Sequence, residues 1–228
     1  MLAEQSVKPT SRSLKPDDFD RVIAIDEQES GRARRQFFEK RLQAALAHPD
    51  RFIAVAVDRN GELAGYAIAR LQGGEFGEAD PGAVIEVIGV DAAARGHGIG
   101  HALLDGLNHH LRRRAVTARR TQIDWQARNL IGFFAGAGFA VSPDQVLESP
   151  VARIAPAEDA DDEPPSPRLD AGIAPAILAQ LMTNLEALRV ERIRTRVGWN
   201  QFPLLRFLDA SGFAPAQHLV LRQAVPAA

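Results

Sequence analysis

The sequence predicts a mixed α+β fold, and three observations carry that expectation. Two stretches near the start place apolar residues at helical spacing. An Asn60-Gly61 pair joins two β-rich segments. The apolar run AVIEVIGV, residues 83–90, leads through a glycine-rich turn into another helical stretch. Size and composition are those of a globular chain with one or two domains: 228 residues, 46% hydrophobic and 25% charged.

Each element has its own signal. SLKPDDFDRVIAIDE opens a helix: Pro16 suits the first helical position, Asp17 and Asp18 favour the positive end, and Phe19, Val22 and Ile23 follow as an apolar stripe. A second helix is expected over 34–47, where Phe37, Phe38, Leu42, Ala45 and Leu46 share a face, with Gly31 in the loop before it. RFIAVAVDRNGELAGYAIARL reads as two antiparallel strands about the Asn60-Gly61 turn. After the loop QGGEFGEADPG, the run 83–90 is apolar on both alternating faces except at Glu86, the pattern of a central buried strand. A helix is expected from His101 through Leu111.

Several classes of function are disfavoured at once. The longest apolar run, FIAVAV, falls far short of the ~20 residues of a membrane helix, and MLAEQSVKPTSRS has no apolar core for a secretory signal. No membrane partner and a cytoplasmic location are the expectations. With 0 Cys there is no disulfide, thiolate zinc site or cysteine nucleophile, and no metal site is expected. The 27 basic and 29 acidic residues give a net charge of -2, no field to recruit nucleic acid. His109, His110 and Arg112 to Arg114 read as cations complementing a helix C-terminus.

Between the buried strand and the helix lies RGHGIG, Arg95 to Gly100. At such a junction the first helical amides lack internal partners and carry the positive end of the helix dipole, so they form an anion site. Glycines let phosphate oxygens reach the backbone. A hydrogen bond to a charged group contributes roughly 1.5–3 kcal/mol, so a few amides suffice to hold a diphosphate, with Arg95 adding a flexible charge. A plain strand-to-helix turn fits the glycines as well. A P-loop is excluded because no Gly-Lys-Ser/Thr is present, and a dinucleotide fingerprint because His101 stands where the third glycine belongs.

Arg95-Gly96-His97-Gly98-Ile99-Gly100 resembles the Gln/Arg-x-x-Gly-x-Gly/Ala signature of the GNAT superfamily of N-acetyltransferases. VIEVIGVDAAA before it resembles that family's fourth strand, and RTQIDWQARNLIGFFAGAGF after it the fifth strand and next helix, closing on Gly138-Phe139. The resemblance covers roughly residues 7 to 152. It implies a GNAT fold: a central mixed, mostly antiparallel sheet flanked by helices. It also implies acetyl-CoA as cosubstrate, with the loop Arg95, Gly96, His97, Gly98, Ile99, Gly100 and His101 around its phosphates. The backbone of Ile88, Gly89 and Val90 would lie along the pantetheine arm. Arg128 and Asn129, at the start of the next helix, either touch a phosphate or cap that helix.

The implied reaction is transfer of an acetyl group to a primary amine, small molecule or peptide, by direct attack. An alkylamine of pKa about 10.4 costs roughly 4.6 kcal/mol to deprotonate at pH 7, so a base or proton path is required. Glu86 matches a carboxylate common on the fourth strand of the family. Its same-face neighbours Val84 and Ile88 would push its carboxyl up, and the competing reading is an ion pair with an arginine across the sheet. Asp26, Glu27 and Glu29, between the first two helices, suit a cationic acceptor. One departure stands out: Phe134 holds the place where many members have a tyrosine that protonates the leaving thiolate, and the single tyrosine, Tyr66, lies on a hairpin strand. A catalytically degenerate acyl-CoA binder is therefore the alternative function.

The last third of the chain repeats the middle. At an offset of 74 residues Trp125 aligns with Trp199, Gly138-Phe139 with Gly212-Phe213, Thr121 with Thr195 and Val146 with Val220, without a gap. Three parts are expected: a GNAT domain over 1–153, an acidic, proline-rich linker over 154–168, and a degenerate half-repeat over 169–228. The loop copy LDAGIA replaces the arginine by Leu169 and Gly96 by Asp170, so a second cofactor site is not expected. Ile177, Leu178, Leu181, Met182, Leu185 and Leu188 form an apolar helix side that must be covered, by the first domain or in a homodimer.

Overall fold

A computed structural model describes residues 9–73, 82–151 and 173–226. The centre of the QGGEFGEADPG loop, the linker and the LDAGIA loop up to residue 172 lie outside the described residues. The chain divides into two compact units, one of residues 1–122, 133–140 and 221–228, the other of 123–132 and 141–220.

The first unit contains β1 (Ser11–Ser13), α1 (Phe19–Ser30), α2 (Arg35–Ala47), β2 (Phe52–Arg59), β3 (Glu62–Gln72), β4 (Gly82–Val90), α3 (Ile99–Arg112) and most of β5 (Ala118–Asp124). The strands lie in the order β1-β2-β3-β4-β5. The first four pair antiparallel and β4–β5 is parallel. The hairpin turn falls on Asn60 and Gly61, both at positive φ (54° and 84°), the backbone that such a two-residue connection requires.

The opening proline turn differs in detail from expectation. Pro16–Asp18 form a 3-10 turn and the α-helix begins at Phe19. Asp18 accepts from the Lys15 amide (2.7 Å) and from Arg12 (2.7 and 2.9 Å), and these bonds hold its carboxyl below the ordinary range, Arg12 contributing most. α1 and α2 bury Val22, Ile23, Ile25, Phe38, Leu42 and Ala45 against Ala56, Leu63, Tyr66 and Ile68. Leu46, expected on that face, is exposed; one residue beyond Ala45 it is turned about 100° away. α3 buries Ile99, Ala102, Leu103, Leu104, Leu107 and Leu111 and packs on β1 through β4. Its Gly106 is required, because a Cβ there would meet the Ser11 side chain at 2.3 Å.

The second unit draws on α4 (Arg128–Gly136), β6 (Ala140–Pro150), α5 (Ile173–Ala187), β7 (Arg192–Gly198), α6 (Phe202–Ala210) and β8 (Ala214–Ala224). Its strands follow the order β8-β6-β7, and β6 pairs β7 antiparallel from Asp144↔Gly198 to Pro150↔Arg192. Leu147, Met182, Val197, Leu208 and Phe213 form its core, with Leu178 and Leu185 packed on it. The expected single apolar side of α5 is therefore split: Leu178, Met182 and Leu185 are covered, whereas Ile177, Leu181 and Leu188 are exposed. No described helix is long and apolar enough to cross a membrane.

Candidate active site

β4, the loop after it and the start of α3 position the candidate site. β3 pairs with β4 through Ile68↔Val87 and Ala69↔Ile85, so Glu86 is the extra residue of a β-bulge. On the other edge, pairing with β5 runs from Gly82↔Ala118 to Ile85↔Thr121 and ends there. The Thr121 hydroxyl closes it by donating to the Ile85 carbonyl (3.1 Å). From Glu86 onward β4 thus keeps one strand neighbour. The expected buried strand is only partly buried: Ala83, Ile85 and Gly89 are covered, while Val84, flanked by strands on both edges, and Glu86, Val87, Ile88 and Val90, flanked on one, are half-buried.

Two buried contacts fix this strand. Gly89 lies against the Tyr66 ring, which a Cβ would meet at 2.7 Å, and Gly65, opposite Val90, lies against Ile99 of α3. Tyr66 packs edge-on to Phe38 and is fully buried. Burial, followed by the charge of Asp26, pushes its phenol well above the ordinary value.

The loop begins with Asp91, whose amide donates to the Ala64 carbonyl (2.9 Å) and whose carboxylate caps the short turn Ala92–Ala94 through the Ala93 amide (3.0 Å). Arg21 of α1 pairs with Asp91, and Gln28 accepts from the Ala92 amide (3.0 Å). Gly96 and Gly98 are both left-handed (φ 77° and 78°), and Gly98 is the N-cap of α3. An L side chain there is strained by roughly 1–2 kcal/mol. The first α3 backbone bond runs from the Ala102 amide to Gly98 (3.0 Å), so the amides before it are those a helix start offers to an anion. Space around Gly96 is open: a Cβ would meet nothing within 4 Å. Gly100 has a different reason to be small. A Cβ there would meet the Phe133 ring at 2.8 Å, and that ring also packs edge-on to His101 (5.5 Å).

The predicted residues fall into three groups. Gly96, His97 and Gly98 are exposed on the loop and His101 on the first turn of α3, and the His97 ring nitrogen Nδ1 lies 2.8 Å from the Arg95 carbonyl oxygen. Ile99 is buried and belongs to the core. Arg95 is not a loose charge but pairs with Glu29 at the end of α1, both about half-exposed. Asn129 is exposed on the first turn of α4, one turn before Phe133. Among the carboxylates expected for the acceptor, Asp26 is buried and held by Arg34 (2.8 Å from Nε to Oδ2), and Glu29 is taken by Arg95. These acids are thus engaged with arginines of the chain.

Glu86 is ion-paired rather than set among apolar neighbours. Arg41 of α2 reaches its Oε2 and Arg70 of β3 its Oε1 (3.1 Å). Val84 and Ile88 follow from adjacency along the strand, whereas the arginines arrive from 45 and 16 residues away. Arg41 also lies over the Phe37 ring (4.6 Å). Burial first, then the like charges of Arg70 and Arg34, push its guanidinium below the ordinary value. Phe134, at the place of the expected tyrosine, is fully buried between Phe133 and Phe139. Arg70 is the arginine across the sheet that the competing reading of Glu86 expected, without naming it, whereas sequence reasoning missed Arg41 and Phe133.

A model of the acetyltransferase (GNAT) family matches residues 17–139. No protein with curated annotation matches the chain. Among solved structures, Ard1 from Thermoplasma volcanium is 15% identical, with 97% of this chain and 100% of that chain covered and a TM-score of 0.55. The ribosomal-protein-S18-alanine N-acetyltransferase from Escherichia coli is 14% identical, with 96% of each chain covered and a TM-score of 0.52. At such identities the likeness is one of fold.

Proposed function

Because the chain belongs to the acetyltransferase (GNAT) family, we propose that it transfers an acetyl group from acetyl-CoA to a primary amine. The observation that carries this reading is the junction of β4 and α3. Two left-handed glycines present the first α3 amides at the end of a strand whose second edge is unpaired beyond Ile85. The residues fit the cosubstrate: Gly96 and Gly98 leave the amides open to a diphosphate, and the free edge of β4 at Ile88–Val90 offers backbone groups to an amide-bearing arm. Bound acetyl-CoA supplies the activated thioester.

The chain's own contribution is orientation and proton handling. Glu86, held by Arg41 and Arg70 at the bulge, takes the proton from the acceptor ammonium directly or through water. The nitrogen then forms its bond to the acyl carbon as the carbon–sulfur bond breaks. The second proton of the nitrogen passes through water to the leaving sulfur, since Phe134 has no hydroxyl and the Tyr66 phenol is buried. A second reading, an acyl-CoA binder without turnover, is favoured by that same Phe134. Calorimetric titration of acetyl-CoA followed by an amine panel separates the two. The enzyme reading expects one site per chain and transfer to at least one amine; binding without any transfer supports the binder, and no binding removes both.

The reading extends to the organisation of the chain: a GNAT domain over 1–153 and a half-repeat over 169–228. Paired backbone bonds support it. Trp125 donates to Gln217 (3.3 Å) and Trp199 to Pro143 (3.0 Å); Val225 donates to Thr117 (2.8 Å) and Val151 to Glu191 (3.1 Å). In each pair one bond becomes the other when donor and acceptor are exchanged between the two copies at the 74-residue offset. Left-handed Ala115 and Arg189, and Gly138 and Gly212, stand at the same offset.

A further inference from the structure

Resting on the acetyltransferase reading, we infer that the acceptor carries a carboxylate close to its amine, and that Arg41 and Arg70 recognise it. Arg70 and Val84 are cross-strand partners, and so are Val84 and Arg120, which places Arg70 and Arg120 in line on one face of the sheet. Arg120 donates to Gln72 (2.6 Å). Arg41 reaches the same region from α2, and Glu86 is the carboxylate that Arg41 and Arg70 share. A simple ammonium approaching Glu86 therefore meets guanidiniums beside the group that is to accept its proton, and like charges disfavour it.

Both cations are reachable, and Arg41 has capacity. Arg41 and Arg70 side chains are 34% and 37% exposed, against 13% for Glu86. Arg41 uses only Nη1 on Glu86, and its other nitrogens donate to no described residue. Burial first, then the like charges of Arg70 and Arg34, disfavour its ionised form, and an arriving carboxylate offsets the like-charge part of that. A guanidinium fork matches a carboxylate with two parallel hydrogen bonds, which an ammonium or a neutral amide cannot reproduce. Of the three acids that would have recruited a purely cationic acceptor, Asp26 and Glu29 are committed to Arg34 and Arg95, which leaves the exposed Glu27 alone. Free amino acids and peptides with an acidic residue next to the amine share this chemistry.

The test uses the full-length chain, acetyl-CoA and acceptor pairs matched but for the carboxylate, with kcat/KM expressed per unprotonated amine: an amino acid against its carboxamide, and an acidic peptide against its amidated counterpart. We expect kcat/KM to favour the carboxylate member at least tenfold, through KM. In Arg41→Gln that ratio falls toward one while calorimetric acetyl-CoA affinity is unchanged. Arg41→Lys, which keeps the charge but not the fork, is expected to be intermediate, and the unchanged affinity shows that the variants fold. Which pair shows the preference distinguishes the amino acid from the peptide. Equal use of both members, preference for the amide, or a ratio that survives Arg41→Gln overturns the carboxylate site and leaves the acetyltransferase reading intact. Tight acetyl-CoA binding with no transfer to any member overturns the acetyltransferase reading, and this inference with it.

Discussion

At the scale of single residues, small side chains answer to two different demands. Gly96 and Gly98 are dictated by backbone conformation, φ 77° and 78°, Gly96 in open space and Gly98 in ordinary contact with Pro9, and that is the geometry that bares a helix start. Gly89 and Gly100 are dictated by neighbours, the Tyr66 and Phe133 rings. Glu86 is the residue to which the proposed reaction assigns proton transfer. Replacing Glu86 with Gln keeps its size and removes its capacity to take a proton. The expected result is a transfer rate lower by roughly a hundredfold or more, with acetyl-CoA affinity by calorimetry unaltered. A rate unchanged across pH would remove Glu86 from the mechanism.

At the scale of elements, β6, β7 and β8 carry a charged group whose balance sets a pH dependence. Glu148 of β6 is gripped by Arg192 and Arg194 of β7 (2.7 and 2.8 Å), and Arg194 lies 3.5 Å from the His218 ring on β8. Burial, then Arg194, push His218 below its ordinary value of 6.5, against the opposing pull of Asp124 and Glu148. The unfolded chain therefore binds more protons at this site than the folded one once pH falls through about 6.5, and stability declines on the acid side. His110 at the end of α3 is shifted in the same direction by burial and the neighbouring Arg114. We expect the urea midpoint to drop between pH 7.5 and 5.5, and His218→Gln to shrink that drop. A drop of the same size in the variant would assign it elsewhere.

At the scale of the whole molecule, the chain's last residues return to the first unit. Arg119 of β5 is buried, and burial pushes its guanidinium down to about 10. It donates to the Leu104 carbonyl (3.2 Å) and to Gln223 (3.0 Å from Nε), and lies over the Phe139 ring (4.9 Å). Gln223 in turn donates to Ala137 (2.7 Å), and the Val225 amide to Thr117. Residues 221–226 thus close the core around a buried cation. Gln223→Leu strips that cation of a charge-assisted bond, an expected loss of about 1.5–3 kcal/mol, measurable as a lower denaturant midpoint. Retention of wild-type stability would mean that Leu104 and Phe139 hold Arg119 without help.

The sequence by itself determined α1, α2, α3 and α5, the Asn60-Gly61 hairpin, the β4–loop–α3 junction and the 74-residue echo, because each is written in local periodicity, turn chemistry or spacing. It also determined that residue 134 brings no hydroxyl. Tertiary structure alone decided what surrounds Glu86, since Arg41 and Arg70 meet it through helix packing and strand register rather than proximity in the chain. It likewise decided which flank of α5 is covered and that Gln223 satisfies Arg119, 104 residues away. Local patterns fix which face of an element is apolar; the partners of a buried charge depend on which distant elements arrive beside it.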